Sequence, residues 1–126
     1  MIQIADNKGR ERFMSISPVL MVIVAEMSLW AYRHNLPFRI NSSVSTIEED
    51  KALRRVSTSH RTGRAVDIGL AGWAKEDAIR FCKHFSMNYD QYAAINREGE
   101  KSLCVYGDAR HQHHIHVQIH SRYSVE

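Results

Sequence analysis

The stretch HHIHVQIH, residues 113–120, sets the fold class of this chain. Its apolar residues, Ile115, Val117 and Ile119, fall at every second position. A period of two is the mark of a β-strand with one face on a core. The opposite face then carries His114, His116, Gln118 and His120 in a row. Five of the eight histidines lie between Gly107 and His120, and alternation divides them. His111 and His120 read as surface residues. An HxH pair on its own is more often a solvated polar face than a site, so its partner segments decide what it means.

Outward from this strand, QYAAIN (91–96) and KSLCVYG (101–107) read as two further short strands, divided by the turn REGE with Gly99. Strands that follow one another this closely predict an antiparallel meander. KEDAIRFCKHFS (75–86) reads as an amphipathic helix with Ala78, Phe81, Cys82 and Phe85 on one face. RAVDIGLA (64–71) sets Ala65, Asp67 and Gly69 against Val66, Ile68 and Leu70, which is strand periodicity. TIEEDKALRR (46–55) reads as a short helix that Thr46 caps, with Glu49 completing a capping box. FRINSS (38–43) reads as a short strand. Ser17 as N-cap and Pro18 at the first position start a helix with Leu20, Val24, Met27 and Ala31 inward; it runs to about His34 and stops at Asn35 and Pro37. The expected class is α+β: an antiparallel β-sheet packed against about three helices.

A length of 126 residues suits one domain over 1–126, large enough to bury a core without staples. A monomer is expected. The formal charge of +3 favours an anionic partner. The two cysteines, Cys82 and Cys104, form no CxxC pair and are expected as buried free thiols. The apolar run PVLMVIVA (18–25) ends at Glu26, well short of the roughly 18 residues that span a bilayer. No stable membrane insertion is expected, and no cleavage site of a signal peptide follows the run.

The partner segment is STSHRTGRAVDI, residues 57–68. His60 lies in a loop with Gly63, and Asp67 lies on the strand that follows. The Gly-containing turn allows the two to converge. Asp67 stands among apolar residues, where an unpaired carboxylate is costly and a metal ion would resolve that cost. His60, Asp67 and one late histidine would supply three N/O donors and leave a position open for water, the arrangement of catalytic zinc.

SHRTGRAVDI followed by HIHV resembles a family of zinc peptidases. It includes D-Ala-D-Ala carboxypeptidases, D-Ala-D-Ala dipeptidases and phage L-alanyl-D-glutamate endolysins, and it shares a fold with the hedgehog signalling domain. The family pattern SxHxxGxAxD, then a late HxH, matches Thr58, His60, Gly63, Ala65 and Asp67, with Thr in place of Ser. The resemblance covers most of the chain, from Ser17 to Ile119. It implies a hedgehog-like fold, one Zn2+ held by His60, Asp67 and His116, and His114 beside the metal, where it orients or stabilises the attacked carbonyl. It also implies a peptidoglycan stem peptide as substrate, received by Thr58 of the motif and by Arg61 and Arg64 of a basic group that includes Arg54 and Arg55.

Two positions depart from the family pattern. A Glu or Asp commonly stands three residues before the last ligand, as the base for the attacking water. That slot is His113 here. Histidine can act as a base near neutral pH, and Asp108 is the nearest upstream carboxylate. The family also carries an oxyanion-stabilising Arg where an ungapped match puts Ser45, with Arg39 or Arg61 as candidate substitutes.

The leading expectation is a peptidoglycan peptidase of the phage or prophage endolysin kind. It would be made in the cytoplasm without a signal peptide and act at the cell wall after holin-type release. The alternatives are a D-Ala-D-Ala carboxypeptidase, or a catalytically weakened or inactivated zinc-binding member of the same fold. Nucleic-acid binding is not expected: TIEEDKALRRVSTSHRTGRAVDIGL superficially resembles a helix, a turn and a basic stretch, but Gly63 and the β-alternation after it do not suit a recognition helix.

Overall fold

The computed structural model describes residues 2–4, 7–54, 58–96, 98–107 and 113–125. Along the chain run β1 (Ile2–Ile4), α1 (Asn7–Phe13), α2 (Pro18–Arg33), β2 (Phe38–Ser42), α3 (Ile47–Ala52), β3 (Ala65–Gly69), α4 (Lys75–Asn88), β4 (Ala94–Ile95), β5 (Lys101–Ser102), β6 (Cys104–Val105) and β7 (His114–Gln118). Single 3-10 turns lie at Asp90–Tyr92 and Ser121–Tyr123.

The class is α+β, as the periodicities predict. The sheet is mixed rather than antiparallel. Its order is β1-β2-β3-β7-β6, and β1 runs parallel to β2 with Ile2 opposite Phe38 and Ile4 opposite Ile40. A parallel pair needs a long crossover, and α1 and α2 supply it. Neither β1 nor α1 was expected, so the described residues hold four helices rather than about three. Three residues give too little period to reveal β1.

The late strands do not form one meander either. β4 and β5 pair as a separate hairpin, while β6 joins the main sheet against β7. The expected helix ends fare unevenly. Thr46 makes its capping box, with Glu49 N donating to Thr46 Oγ1 at 3.1 Å and Thr46 N to Glu49 Oε1 at 3.0 Å. Ser17 makes no side-chain cap; its backbone N–H donates to Gly63 O at 2.8 Å.

The core lies between one face of the sheet and the helices. Leu20, Val24, Met27 and Ala31 of α2 are fully buried, as their spacing predicts. They share the core with Phe38, Ile40, Val66, Ile68, Ile115 and Val117 of the strands and with Ala78, Phe81 and Phe85 of α4. β3 and β7 pair in one register: Val66 faces Val117 and Ile68 faces Ile115 toward the core, while Asp67 faces His116 and Gly69 faces His114 on the other side. Alternation predicts a half-exposed β3, but every residue of it is buried. Ala65 and Gly69 carry little side chain, so neighbours close over them; a Cβ on Gly69 would lie 2.8 Å from the Asn41 amide.

Candidate metal centre

Antiparallel pairing makes Asp67 and His116 direct cross-strand neighbours. The third group comes from the turn before β3. There Thr62 N donates to Thr58 O at 3.0 Å, Gly63 N to His60 O at 3.1 Å and Arg64 N to Ser59 O at 2.9 Å. These bonds curl the chain so that the His60 ring points back at the strand. Gly63 has φ +72°, where a Cβ is strained, and a Cβ would meet Ser15 O and Ser17 N at 3.3 Å. The glycine of the motif thus seats the turn against the start of α2.

His60 Nε2 lies 3.3 Å from Asp67 Oδ2, and His116 Nδ1 lies 2.9 Å from Asp67 Oδ1. Each imidazole has an outer partner as well. His60 Nδ1–H donates to Ser43 O at 2.7 Å, and His116 Nε2–H donates to Gln118 Oε1 at 2.9 Å. With its one proton on the outer nitrogen, a neutral imidazole turns a lone pair toward the Asp67 carboxylate. In that tautomer a metal ion between lone pair and carboxylate relieves their repulsion; a ring protonated on both nitrogens donates to Asp67 directly. Ligand atoms of His60, Asp67 and His116 all lie within 4.8 Å of one another. Metal–ligand bonds of 2.0 to 2.2 Å in a tetrahedron give ligand–ligand edges of about 3.4 Å, and the two His–Asp separations, 3.3 and 2.9 Å, lie near that value. The outer hydrogen bonds are those that orient histidine ligands. The cluster can coordinate a divalent metal ion.

The electrostatics agree. His60 and Asp67 are buried, and His116 is largely so. Burial pushes the Asp67 carboxyl up, but hydrogen bonds from His116 and His60 and the charge of both outweigh it and hold the group well below the usual carboxylate range. Asp67 therefore offers an anion to a cation at neutral pH.

The structure also locates the other residues that the sequence singles out. His114 flanks the cluster, its Nε2 3.7 Å from Asp67 Oδ1. His113 is exposed and lines a cleft of about 400 Å3 at the ends of β3 and β7. Thr58 is exposed, and its carbonyl closes the turn that carries His60. Arg61 is partly exposed, its Nε 3.9 Å from the buried Asp50 Oδ2. Arg64 turns the other way: its guanidinium donates to Thr62 Oγ1 at 3.0 Å and to Ile119 O at 3.2 Å. Ser45 is buried and donates to Asp50 Oδ1 at 2.6 Å. Arg39 is exposed on β2, opposite Gly69. His120 accepts from Arg122 N at 3.1 Å, away from the cluster. Asp108, His111 and Arg55 lie outside the described residues.

Five residues at or near the site carry no role in the sequence reading. Ser43 acts through its backbone carbonyl, which no side-chain pattern announces. Gln118 is legible as a face-mate of His116 but not as its hydrogen-bond partner. Trp73, Lys75 and Tyr106 meet His113 in the cleft only once the chain folds. A search of family models, curated proteins and solved structures finds no match to this chain.

Proposed function

We propose that the chain is a zinc peptidase that hydrolyses peptidoglycan stem peptides, of the L-alanyl-D-glutamate endopeptidase kind found in phage endolysins and released to the wall through a holin. The observation that carries this reading is the convergence of His60 Nε2, Asp67 and His116 Nδ1, with each imidazole oriented from behind by Ser43 or Gln118. The resemblance of SHRTGRAVDI and HIHV to the wall peptidases supplies the substrate class. His60, Asp67 and His116 would hold the ion, the two imidazoles giving nitrogen donors suited to zinc. When bound, zinc supplies Lewis acidity at the scissile carbonyl and makes water a nucleophile near neutral pH.

The remaining roles belong to the chain. His114 stands next to the cluster and would donate to the carbonyl oxygen as charge develops there. His113, in the slot of the usual acid, would take a proton from the attacking water and pass it to the leaving amine. Asp108 is the alternative base. Thr58 and Arg61 border the His60 turn, and Arg61 would receive a stem-peptide carboxylate. Arg64, tied to Thr62 and Ile119, would keep that turn in place.

His113 also favours a second reading, a weakened member of the same fold. An imidazole cannot offset the charge of zinc as a carboxylate does.

Digestion of purified peptidoglycan with added zinc, followed by mass analysis, tests both readings. A new N-terminal D-Glu supports the endopeptidase. Loss of terminal D-Ala makes the chain a carboxypeptidase. Absence of product, with cleavage restored by His113→Asp or His113→Glu, establishes the weakened form.

A further inference from the structure

Two carboxylates are buried among the described residues: Asp67 of the metal cluster and Asp50 of α3. Asp50 is 5% exposed, and burying such a group is costly unless its oxygens are satisfied. Two of its partners come from the stretches of chain that hold the His60 ring. Oδ1 accepts from Ser45 Oγ at 2.6 Å, and Oδ2 lies 3.9 Å from Arg61 Nε. Ser45 is two residues beyond Ser43, whose carbonyl accepts from His60 Nδ1 at 2.7 Å. Arg61 directly follows His60. Asp50 thus meets both the segment that supplies the acceptor behind the ring and the turn that carries the ring itself.

The mount of this carboxylate is firm. Asp50 N donates to Thr46 O at 3.0 Å, and the capping box of Thr46 and Glu49 fixes the start of the same helix. Ser43 and Ser45 are buried too, so the Ser45 bond forms away from solvent, where such bonds are electrostatically stronger. An apolar side chain in the place of Asp50 would fill the space, but it would fix the direction of neither segment.

We propose that Asp50 is a positioning residue for the candidate metal centre. Through Ser45 and Arg61 it holds the Ser43 carbonyl and the His60 turn at the spacing that aims His60 Nε2 at the ion. The inference rests on the metal reading of His60, Asp67 and His116, and not on which bond the chain cleaves. Ser45, in the slot where the wall peptidases carry an arginine, directs its hydroxyl to Asp50 and anchors the loop instead of facing a substrate.

The test is zinc affinity, by competition with a chromophoric chelator, in the wild type, Asp50→Ala, Asp50→Asn, Ser45→Ala and the Ser45→Ala/Asp50→Ala double variant. Each is measured well below its unfolding temperature, with circular dichroism to fix the folded fraction. The visible absorption of the cobalt-loaded proteins reads the ligand geometry. Asp50→Ala should weaken zinc binding by roughly tenfold or more, the range for groups that orient metal ligands, and should alter the cobalt bands. Asp50→Asn keeps an oxygen for Ser45 and should recover at least part of that loss. Ser45→Ala should weaken binding by itself but add nothing in the Asp50→Ala background, because the two act along one path. Wild-type affinity and cobalt bands in folded Asp50→Ala overturn the proposal, as does a Ser45 effect that adds in full to that of Asp50. Where Asp50→Ala does not fold, Asp50→Asn and Ser45→Ala decide: a loss of affinity in either supports the proposal, and wild-type affinity in both overturns it. Unchanged affinity in a chain that binds zinc removes this inference alone. A wild type that binds no zinc removes it together with the metal reading. A wild type that binds zinc but releases nothing from purified wall removes only the peptidase.

Discussion

His60 presents Nε2 to Asp67 Oδ2 at 3.3 Å while its Nδ1 is held by the Ser43 carbonyl at 2.7 Å. The carbonyl behind the ring decides which nitrogen faces the carboxylate, and that nitrogen and the carboxylate can share a cation. His116 repeats the logic, with Gln118 behind it. The candidate metal site is thus built from five residues, two of which would never touch an ion.

That division predicts two grades of effect. His60→Ala removes a donor and should abolish stoichiometric zinc binding, measured by atomic emission on dialysed protein. Gln118→Ala leaves all three donors but frees the His116 ring, and should weaken zinc affinity by about 10- to 100-fold in a competition titration with a chromophoric chelator. Wild-type affinity in Gln118→Ala would mean that Gln118 does not set the ring.

A second prediction concerns acid stability. A hydrogen bond from Arg12 Nη1 to Glu49 Oε2, 2.7 Å, joins α1 to α3. That bond, with the Thr46 backbone N–H of the capping box, lowers the Glu49 carboxyl to about 2. A carboxyl depressed in the folded state gives the unfolded chain more protons at low pH, so its stabilisation is present above about pH 4.5 and fades as pH falls toward 2. The pair is substantially exposed, so solvent screening limits it to about 0.5–1 kcal/mol. Glu49→Gln should lower the melting temperature at pH 7 and converge with wild type at pH 2. An equal gap at both pH values would place the effect in packing rather than charge.

How far the sequence carried the reading can be judged at particular positions. The three residues of the cluster were legible because each sits in a local pattern: His116 in strand alternation, Asp67 as a carboxylate in an apolar strand, His60 beside a turn glycine. β3 and β7 were legible for the same reason, but their register was not, and only the register puts Asp67 opposite His116. β1 was missed because three residues carry no usable period, and with it the parallel edge of the sheet. Ser43 was missed because a carbonyl has no letter in the sequence. The cleft was missed because its lining comes from the loop between β3 and α4, from Lys75, and from Tyr106 after β6 and His113 before β7, and local patterns cannot report a volume that tertiary packing encloses.

The turn at Gly63 gives a third prediction. Its φ of +72° is left-handed, a conformation that costs a residue with a Cβ about 1–2 kcal/mol. Ser15 O and Ser17 N at 3.3 Å from that Cβ are backbone atoms, which cannot swing aside. Gly63→Ala should therefore destabilise the fold by at least that amount in urea unfolding. It should also weaken zinc binding, because Gly63 N closes the turn on His60 O at 3.1 Å. Loss of stability without any loss of zinc affinity would show that the His60 ring does not depend on the turn.

The cysteines give the last. Both were expected as buried free thiols; both are free but half-buried, and they meet across the contact of α4 with β6. The hydrogen bond between the two thiols, together with burial, raises the Cys104 thiol well above its ordinary value. Only the thiolate alkylates. Cys104 should thus react with iodoacetamide at pH 8 at least about tenfold more slowly than an exposed thiol with a pKa near 8.5. Cys82→Ala removes that hydrogen bond and should speed the reaction while leaving the fold and zinc content intact. Peptide mapping of alkylated protein against time reads both rates. Rapid labelling of Cys104 in the wild type would mean that the thiol pair does not hold its proton, and an unchanged rate in Cys82→Ala would assign the slow reaction to burial alone.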